Sequence, residues 1–248
     1  MINAAIFGRN AASYAAARPS YPDALFDWIA DEAPGRELAL DVGTGNGQSA
    51  VKLAEQFKRV RATDISARQI AEAAPSLSVD YAVAPAHESG LPDKSVDAVT
   101  VATALHWFDF PKFWPEVARV AKPGALFAAW TYHRMRTDEE VEEALLRPIG
   151  EIVAPYWSEG NRLTWRGYPP EEIGFPFDVI EPPAFEIALN WSASRLVEYV
   201  RTWSAHARAR EDGRQSTLRR IETDAVKRLG PDARAIVMPL AMLAGRIA

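Results

Sequence analysis

Residues 38–47 read Leu-Ala-Leu-Asp-Val-Gly-Thr-Gly-Asn-Gly, an apolar run that leads into three closely spaced glycines. The apolar run predicts a buried strand. The glycines predict a tight turn that a ligand can approach closely, because no Cβ stands in the way. A helix is expected to follow from about Gln48 to Phe57. Such a unit places a ligand site at the carboxyl end of the strand, but the glycines alone do not say which ligand binds.

Alternating strands and helices surround this unit. A helix is predicted to begin at Tyr21-Pro22-Asp23, because proline suits the first helical position and an acid suits the first turn. The segment 95–103 carries the apolar residues Val96, Ala98, Val99, Val101 and Ala102, as a parallel strand buried on both faces requires. The alternation implies an α/β fold with a parallel sheet, right-handed crossovers and helices on both faces. Further strands are predicted at 60–63, 79–83, 125–130, 177–189 and 235–247, with helices at 67–74, 111–121, 137–153, 194–210 and 215–229.

Prolines make the second half of the chain harder to interpret. Pro182 and Pro183 interrupt the predicted strand at 177–189, and Pro239 lies within the last strand although it lacks a donor for the ladder. The segment 155–176 reads as an irregular connection.

Length and composition exclude several classes of protein. The chain has 248 residues, of which 48% are hydrophobic and 25% charged, so we expect one domain over 1–248 with a sizeable core. The formal charge of −5 leaves no electrostatic footprint for nucleic acid. There is no cysteine, and none of the four histidines is paired at metal-ligand spacing, so no metal site is expected.

The first residues do not resemble a targeting segment. Met1 opens a polar, alanine-rich stretch, and no run of about 18 apolar residues exists to span a membrane. A cytoplasmic protein without membrane attachment is the expectation.

The spacing around the glycines narrows the choice of ligand. A dinucleotide fingerprint would place glycine or alanine three residues after Gly45, where this chain has Gln48. Asp41 would repel an anionic pyrophosphate but would tolerate a cationic ammonium or sulfonium group. Asp64, at the end of the second strand, can accept both hydroxyls of a ribose. It could instead cap the next helix, although Ser66 can also do so.

Six motifs in order carry a resemblance to the class I S-adenosylmethionine-dependent methyltransferases, within which the chain is most similar to the small-molecule group related to trans-aconitate methyltransferase. The resemblance implies a doubly wound, Rossmann-like, mostly parallel seven-stranded sheet whose last strand is antiparallel. The motifs are Asp41-Val-Gly-Thr-Gly-Asn-Gly47, Ala62-Thr-Asp-Ile-Ser66, Ala86-His-Glu-Ser-Gly-Leu-Pro92, Ser95-Val-Asp-Ala-Val99, Ala104-Leu-His-Trp-Phe-Asp109 and Lys122-Pro-Gly124, preceded by Phe7, Tyr14 and Arg18-Pro-Ser-Tyr-Pro22.

The resemblance implies a cofactor site for S-adenosylmethionine, with S-adenosylhomocysteine as product. The glycines would pass under the methionine and ribose, Asp41 would lie near the amino group, Asp64 would take the ribose hydroxyls, and Ile65 would pack on the adenine. Residues 1–20 would form a lid whose Arg18 pairs with the methionine carboxylate. Ala86 and His87 would border the adenine edge. His87 stands where this group commonly has an acid, so the resemblance implies backbone contacts there and no side-chain contact with the adenine amino group. The predicted cofactor-binding residues are Tyr14, Arg18, Asp41, Gly43, Thr44, Gly45, Gly47, Asp64, Ile65, Ala86, His87, Thr103 and Ala104.

The methyl acceptor is expected to meet the cofactor after the fourth strand. His106 is the one histidine placed to act as a base, and Trp107 and Trp203 are predicted, with His106, to contact the acceptor. A helical cap within about 131–230 would complete the pocket.

We expect O-methylation of a small molecule, with a carboxylate favoured over a phenol or other lipophilic hydroxyl. Arg134, Arg195 and Arg201 are all available to bind an acidic acceptor. A non-catalytic module that binds adenosyl ligands and, less favoured, an NAD-dependent oxidoreductase remain as alternatives.

Overall fold

A computed structural model describes residues 18–248. Its strands form one mixed sheet in the order β3-β2-β1-β4-β5-β8-β6, and β7 also pairs with β8. Strands β1 to β5 are parallel, while β8 runs antiparallel to β5, β6 and β7. The strands are β1 Leu38–Val42, β2 Arg59–Asp64, β3 Val79–Val83, β4 Val96–Ala102, β5 Ala121–Tyr132, β6 Asp178–Ile180, β7 Glu186–Trp191 and β8 Arg234–Arg246.

Helices flank the sheet and fill most of the chain after β5. The first half has α1 Asp23–Glu32, α2 Gln48–Leu53, α3 Ala67–Ala71 and α4 Phe110–Val120, with a 3₁₀ turn at Leu105–Trp107. The second half has α5 Glu139–Val141, a π-helical turn at Glu142–Leu146, α6 Arg147–Val153, α7 Glu159–Trp165, α8 Pro170–Ile173, α9 Ala193–Arg201, α10 Ser204–Ala209, a π-helical turn at Arg210–Arg214 and α11 Gln215–Leu229.

The predicted alternation of strands and helices in the first 130 residues is confirmed, as is the antiparallel last strand. Strands β1 and β4 are buried along almost their whole length, which explains their apolar sequences. Side chains alternate between the two faces. Leu126, Ala128 and Trp130 belong to one apolar cluster, and Phe127 and Ala129 belong to the other.

The prolines of the second half divide one sheet position between two strands. Strand β6 pairs with the end of β8 and β7 pairs with its beginning, and Pro182-Pro183 lies between them. The sheet therefore has seven positions but eight strands, because the edge position beside the continuous β8 is shared by β6 and β7. Pro239 stays within β8, opposite Glu186, and its carbonyl accepts from the His133 amide at 2.8 Å.

Two details differ from the sequence-based expectation. Lys122-Pro123-Gly124 does not separate α4 from the fifth strand, because β5 already begins at Ala121 and takes up these residues as an irregularity in its pairing with β4. The segment 155–176 contains the short helices α7 and α8 and is not wholly irregular.

The described part of the chain lacks membrane-spanning helices and clusters of metal-binding side chains. Among its helices, none has both the length and the apolar composition for crossing a bilayer. Residues 18–248 contain no group of three or more His, Asp or Glu side chains arranged to hold a metal ion.

Candidate functional site

The glycine turn is fixed to the sheet by backbone hydrogen bonds. The amides of Gly43 and Thr44 donate to the Thr63 carbonyl at 2.8 and 2.9 Å. Gly45 and Gly47 both have left-handed backbones, with φ of +57° and +83°. A Cβ on Gly47 would lie 2.3 Å from the Tyr81 hydroxyl, whereas a Cβ on Gly45 would meet no described atom within 4 Å. Gly47 is thus required by the protein itself, while Gly45 leaves room for a ligand.

Asp64 holds the turn from the neighbouring strand. Its Oδ2 accepts from the Gly45 amide at 2.9 Å and its Oδ1 accepts from the Ser66 amide at 2.8 Å. The cap of α3 is Ser66, whose hydroxyl accepts from the Gln69 amide, so capping does not occupy Asp64. Burial raises the pKa of Asp64 above its ordinary value. With two of about four lone-pair sites in use, the carboxylate can accept further hydrogen bonds from a ligand.

Asp41 lies beneath the turn with no exposed surface. Its Oδ2 accepts from the Thr44 hydroxyl at 2.6 Å and its Oδ1 accepts from the Thr100 hydroxyl at 2.8 Å. Burial raises the pKa of Asp41 to about 6, although these hydroxyls oppose the rise. The Asp41 carboxylate and the Thr44 hydroxyl are therefore bonded to one another, and together they support the glycine turn from below.

Exposed apolar side chains lie beside Asp64 at the edge of the sheet. Ile65 is 66% exposed and Val83 is 55% exposed, unusual values for large aliphatic residues. Val83 is the partner of Asp64 in the β2–β3 register. Ala86 packs against the core, and the His87 ring lies 3.7 Å from a Glu88 carboxylate oxygen. An exposed apolar surface next to a carboxylate with unused acceptor sites suits the base and ribose of a nucleoside.

The end of β4 brings the next candidate residues against the glycine turn. Thr103 has φ of +53°, a left-handed conformation that is costly for a β-branched residue and that often marks functional sites. Its amide donates to the Trp130 carbonyl at 2.7 Å. Ala104 follows, and its Cβ lies only 2.6 Å from where a Cβ on Gly43 would stand. This packing joins the glycine turn to the segment that carries His106.

A cavity of about 570 Å³ opens at this point. It lies between the carboxyl ends of β4 and β5 and the helices of the second half of the chain. The residues that line it include the predicted Arg18, Thr103, His106, Trp107 and Trp203, together with Arg134, Arg147, Trp157, Trp165 and Tyr199. Aromatic walls with a few charged groups are typical of small-molecule sites.

His106 is held by a tyrosine that the sequence did not reveal. Its Nδ1 lies 3.1 Å from the Tyr168 hydroxyl, and the two rings are stacked. Burial, with a smaller contribution from the charge of Arg18, lowers the pKa of His106 to about 3. Burial also raises the pKa of Tyr168 well above its ordinary value. His106 is therefore neutral over the physiological range and a poor proton acceptor.

Arg18 lies between two tyrosines of the cavity wall. Its guanidinium carbon is 5.2 Å from the centre of the Tyr132 ring and 5.5 Å from that of Tyr199, within the range of cation–π attraction. Tyr14 and most of the predicted lid at 1–20 lie outside the described residues.

The three arginines considered for an acidic acceptor are placed differently. Arg134 lines the cavity and pairs with Glu142 at 2.7 Å. Arg195 pairs with Glu198, and Arg201 is bound to the buried Glu222 at 2.6 Å; neither lines this cavity. Sequence reasoning missed Arg147, which is exposed and does line it.

Comparison with known proteins agrees with this geometry. Residues 40–129 match the family model described as "Methyltransferase domain". A methyltransferase-family protein of Dictyostelium discoideum is 31% identical, with 89% of this chain and 85% of that protein aligned. An uncharacterized methyltransferase of Mycobacterium tuberculosis is 32% identical, over 87% and 83% of the two chains.

A solved structure extends the similarity to the whole fold. A protein of Anaeromyxobacter dehalogenans assigned as a type II methyltransferase is 40% identical, with a TM-score of 0.84 over 93% of this chain and 98% of that one. The similarity to full-length relatives covers the helices after β5 as well as the sheet. This chain belongs to the S-adenosylmethionine-dependent methyltransferases.

Proposed function

We propose that this enzyme transfers a methyl group from S-adenosylmethionine to a small-molecule carboxylate held in the 570 Å³ cavity. The observation that carries the proposal is the junction at the end of β4. Thr103 lines the cavity, and its neighbour Ala104 packs against Gly43 of the glycine turn. A cofactor on the turn and an acceptor in the cavity would therefore be close neighbours.

The cofactor would lie along the edge formed by β1 and β2. Asp64 retains acceptor sites for the ribose hydroxyls, Gly45 leaves space above the backbone, and Ile65 offers an exposed apolar surface for adenine. Arg18, at the rim of the cavity, is suited to the methionine carboxylate because its planar guanidinium can bind both oxygens. The lid role of residues 1–20 is part of this proposal.

The acceptor would be positioned by the cavity and would need little chemical activation. Methyl transfer is an in-line displacement at the sulfonium-bound carbon, for which alignment and exclusion of water are the main requirements. Trp107 and Trp203 supply apolar walls, and Arg147 supplies positive charge beside the Arg134–Glu142 ion pair, which also lines the cavity.

The electrostatics of His106 favour a carboxylate over a hydroxyl. A hydroxyl acceptor must lose its proton, but a histidine whose pKa is lowered to about 3 accepts a proton weakly at neutral pH. A carboxylate is already ionised and needs no base. We therefore assign His106 to the wall of the acceptor site, where it fixes Tyr168 and contacts the acceptor.

Thermal unfolding with S-adenosylhomocysteine is the first test, with NADH as the control for a dinucleotide site. A ligand at about 100 times its Kd adds roughly 2.7 kcal/mol to the free energy of unfolding. We expect a clear rise in Tm with S-adenosylhomocysteine alone. A rise with NADH alone would overturn the cofactor assignment.

A transfer assay then tests the acceptor. Methyl release from labelled cofactor is measured with pairs of acceptors that share a carbon skeleton and differ only in carrying a carboxylate or an alcohol. We expect turnover with carboxylates, and a KM raised about tenfold in Arg147→Ala without loss of cofactor binding. Turnover with the alcohols only would refute the carboxylate assignment, and cofactor binding without turnover on either series would favour a binding module.

A further inference from the structure

A second, smaller cavity lies on the far side of the segment that walls the acceptor site. Its volume is about 170 Å³, and α9, α10 and α11 surround it. Tyr199 and Trp203 line the acceptor cavity, whereas Arg201 and His206 line the smaller one. The smaller cavity is therefore distinct from the proposed methyl-transfer site but shares a wall with it.

The charge around this cavity is strongly positive. Arg201, Arg210 and Arg219 contribute three guanidinium groups from three different segments. Among residues 18–248, Glu222 is the one carboxylate that lines it, and its Oε2 accepts two hydrogen bonds from Arg201, at 2.6 and 3.1 Å. One carboxylate therefore faces three arginines.

One residue that lines the cavity, His206, has a buried ring nitrogen without a hydrogen-bond partner among the described residues. The His206 ring is 1% exposed, and its Nε2 lies 2.9 Å from Glu222 Oε1. Its Nδ1 is buried and has no hydrogen-bond partner among residues 18–248. A buried polar atom without a partner is rare and points to a water or ion at that place.

Two of the arginines have no carboxylate partner in the described part of the chain. Arg210 and Arg219 are exposed and form no ion pair with residues 18–248, although most of the other described arginines do. Gln215, in the first turn of the fifteen-residue α11, also lines the cavity. The amino end of a helix adds partial positive charge at the same place.

We propose that this cavity binds a tetrahedral oxyanion, a phosphate group or its isostere sulfate. Arginine forks match such oxygens in bidentate geometry, and guanidinium groups from three segments suit an ion with several equivalent oxygens. His206 completes the site because its Nδ1, which has no partner among residues 18–248, would contact one oxygen of the ion while Nε2 stays with Glu222 Oε1. The bound ion joins α9, the turn after α10 and α11, which otherwise meet through Arg201 and Glu222.

Titration calorimetry with sodium sulfate and, separately, inorganic phosphate tests the proposal, in sodium chloride of matched ionic strength. The full chain, Arg210→Ala and Arg219→Ala are compared with Arg220→Ala, a neighbouring exposed arginine of α11 that does not line the cavity. Because the substituted side chains are exposed, the variants are expected to fold, which thermal unfolding in chloride alone checks.

We expect saturable binding that weakens at least about tenfold in Arg210→Ala and in Arg219→Ala and is unchanged in Arg220→Ala. The absence of saturable binding beyond the chloride control would overturn the proposal. The proposal would also be overturned by binding that survives in Arg210→Ala and Arg219→Ala and is lost in Arg147→Ala, because the ion would then lie in the acceptor cavity. The outcome does not depend on whether the methyl acceptor is a carboxylate.

Discussion

Replacing Asp64 with alanine is the most direct test of the cofactor site. The carboxylate accepts from the Gly45 and Ser66 amides at 2.9 and 2.8 Å, one bond to each oxygen. The remaining lone pairs are the ones assigned to the ribose hydroxyls. Asp64→Ala therefore removes the proposed ligand contact and, at the same time, the acceptor that ties the glycine turn to β2.

Both losses have a predictable size. Loss of hydrogen bonds to a charged partner should weaken S-adenosylhomocysteine binding by about 1–3 kcal/mol, or roughly 5–150-fold in Kd. The ligand-free protein should lose a further amount of stability of about 1–3 kcal/mol, because two partly buried amides are left without their acceptor. The affinity is measured by titration calorimetry and the stability by urea unfolding.

Ser66→Ala is the matched control. It removes the hydroxyl that accepts from the Gln69 amide at 3.3 Å and should cost about 0.5–2 kcal/mol of stability as a lost helix cap. It leaves the Asp64 carboxylate in place, so affinity for S-adenosylhomocysteine should be unchanged. A folded Asp64→Ala protein that binds S-adenosylhomocysteine as tightly as the unaltered chain would refute the ribose assignment.

Three further predictions follow from the same geometry. Gly47→Ala should lower the free energy of unfolding by about 3 kcal/mol or more, because the added Cβ would clash with the Tyr81 hydroxyl. Gly45→Ala, whose Cβ meets no described atom, should lower it by only about 1–2 kcal/mol and should mainly impair cofactor binding. Equal destabilisation of the two variants in urea unfolding would contradict this. Burial raises the pKa of Asp41 to about 6, so the folded state holds a proton that the unfolded chain releases, and stability from this group falls as pH rises from about 4 to 6. Asp41→Asn should remove that fall in stability and should be more stable than the unaltered chain above pH 6, by up to about 3 kcal/mol. Urea unfolding of both proteins at pH 4.5 and 7.5 checks this, and a variant that is less stable than the unaltered chain at pH 7.5 would contradict it. His106→Gln should reduce kcat on a carboxylate acceptor by less than about tenfold, and a hundredfold loss would restore the general-base role.

The order of elements in the first half was predictable because each signal was local. Buried parallel strands such as β1 and β4 need apolar runs, and proline at Pro22 marks the start of α1. The same locality placed the glycine turn after β1 and Asp64 at the end of β2, where the sheet brings them together. Errors were confined to boundaries, as at the start of β5, where a proline and a glycine are accommodated inside a strand.

The acceptor cavity was only partly predictable because its walls come from segments far apart in sequence. Arg147 faces the cavity after the π-helical turn at Glu142–Leu146, which inserts an extra residue and shifts the helical period. Tyr168 has φ of +58°, and it is fully buried with its hydroxyl at His106. Regular helical and strand periods reveal neither feature.

Under the proposed function, the distribution of charge would let one site bind two charged reactants and release an uncharged thioether and an uncharged ester. Asp41 and Asp64 lie on the cofactor side, and Arg134 and Arg147 line the acceptor side. Under the proposed function, a cationic sulfonium lies near the first pair and an anionic carboxylate near the second, and attraction between opposite charges is strong where water is excluded. Transfer of the methyl group removes both charges at once, because the sulfonium becomes a thioether and the carboxylate becomes an ester. The ester has no charge to attract the arginines, so it should bind more weakly than the acid. A competition assay in which the ester inhibits as strongly as the acid would contradict this account.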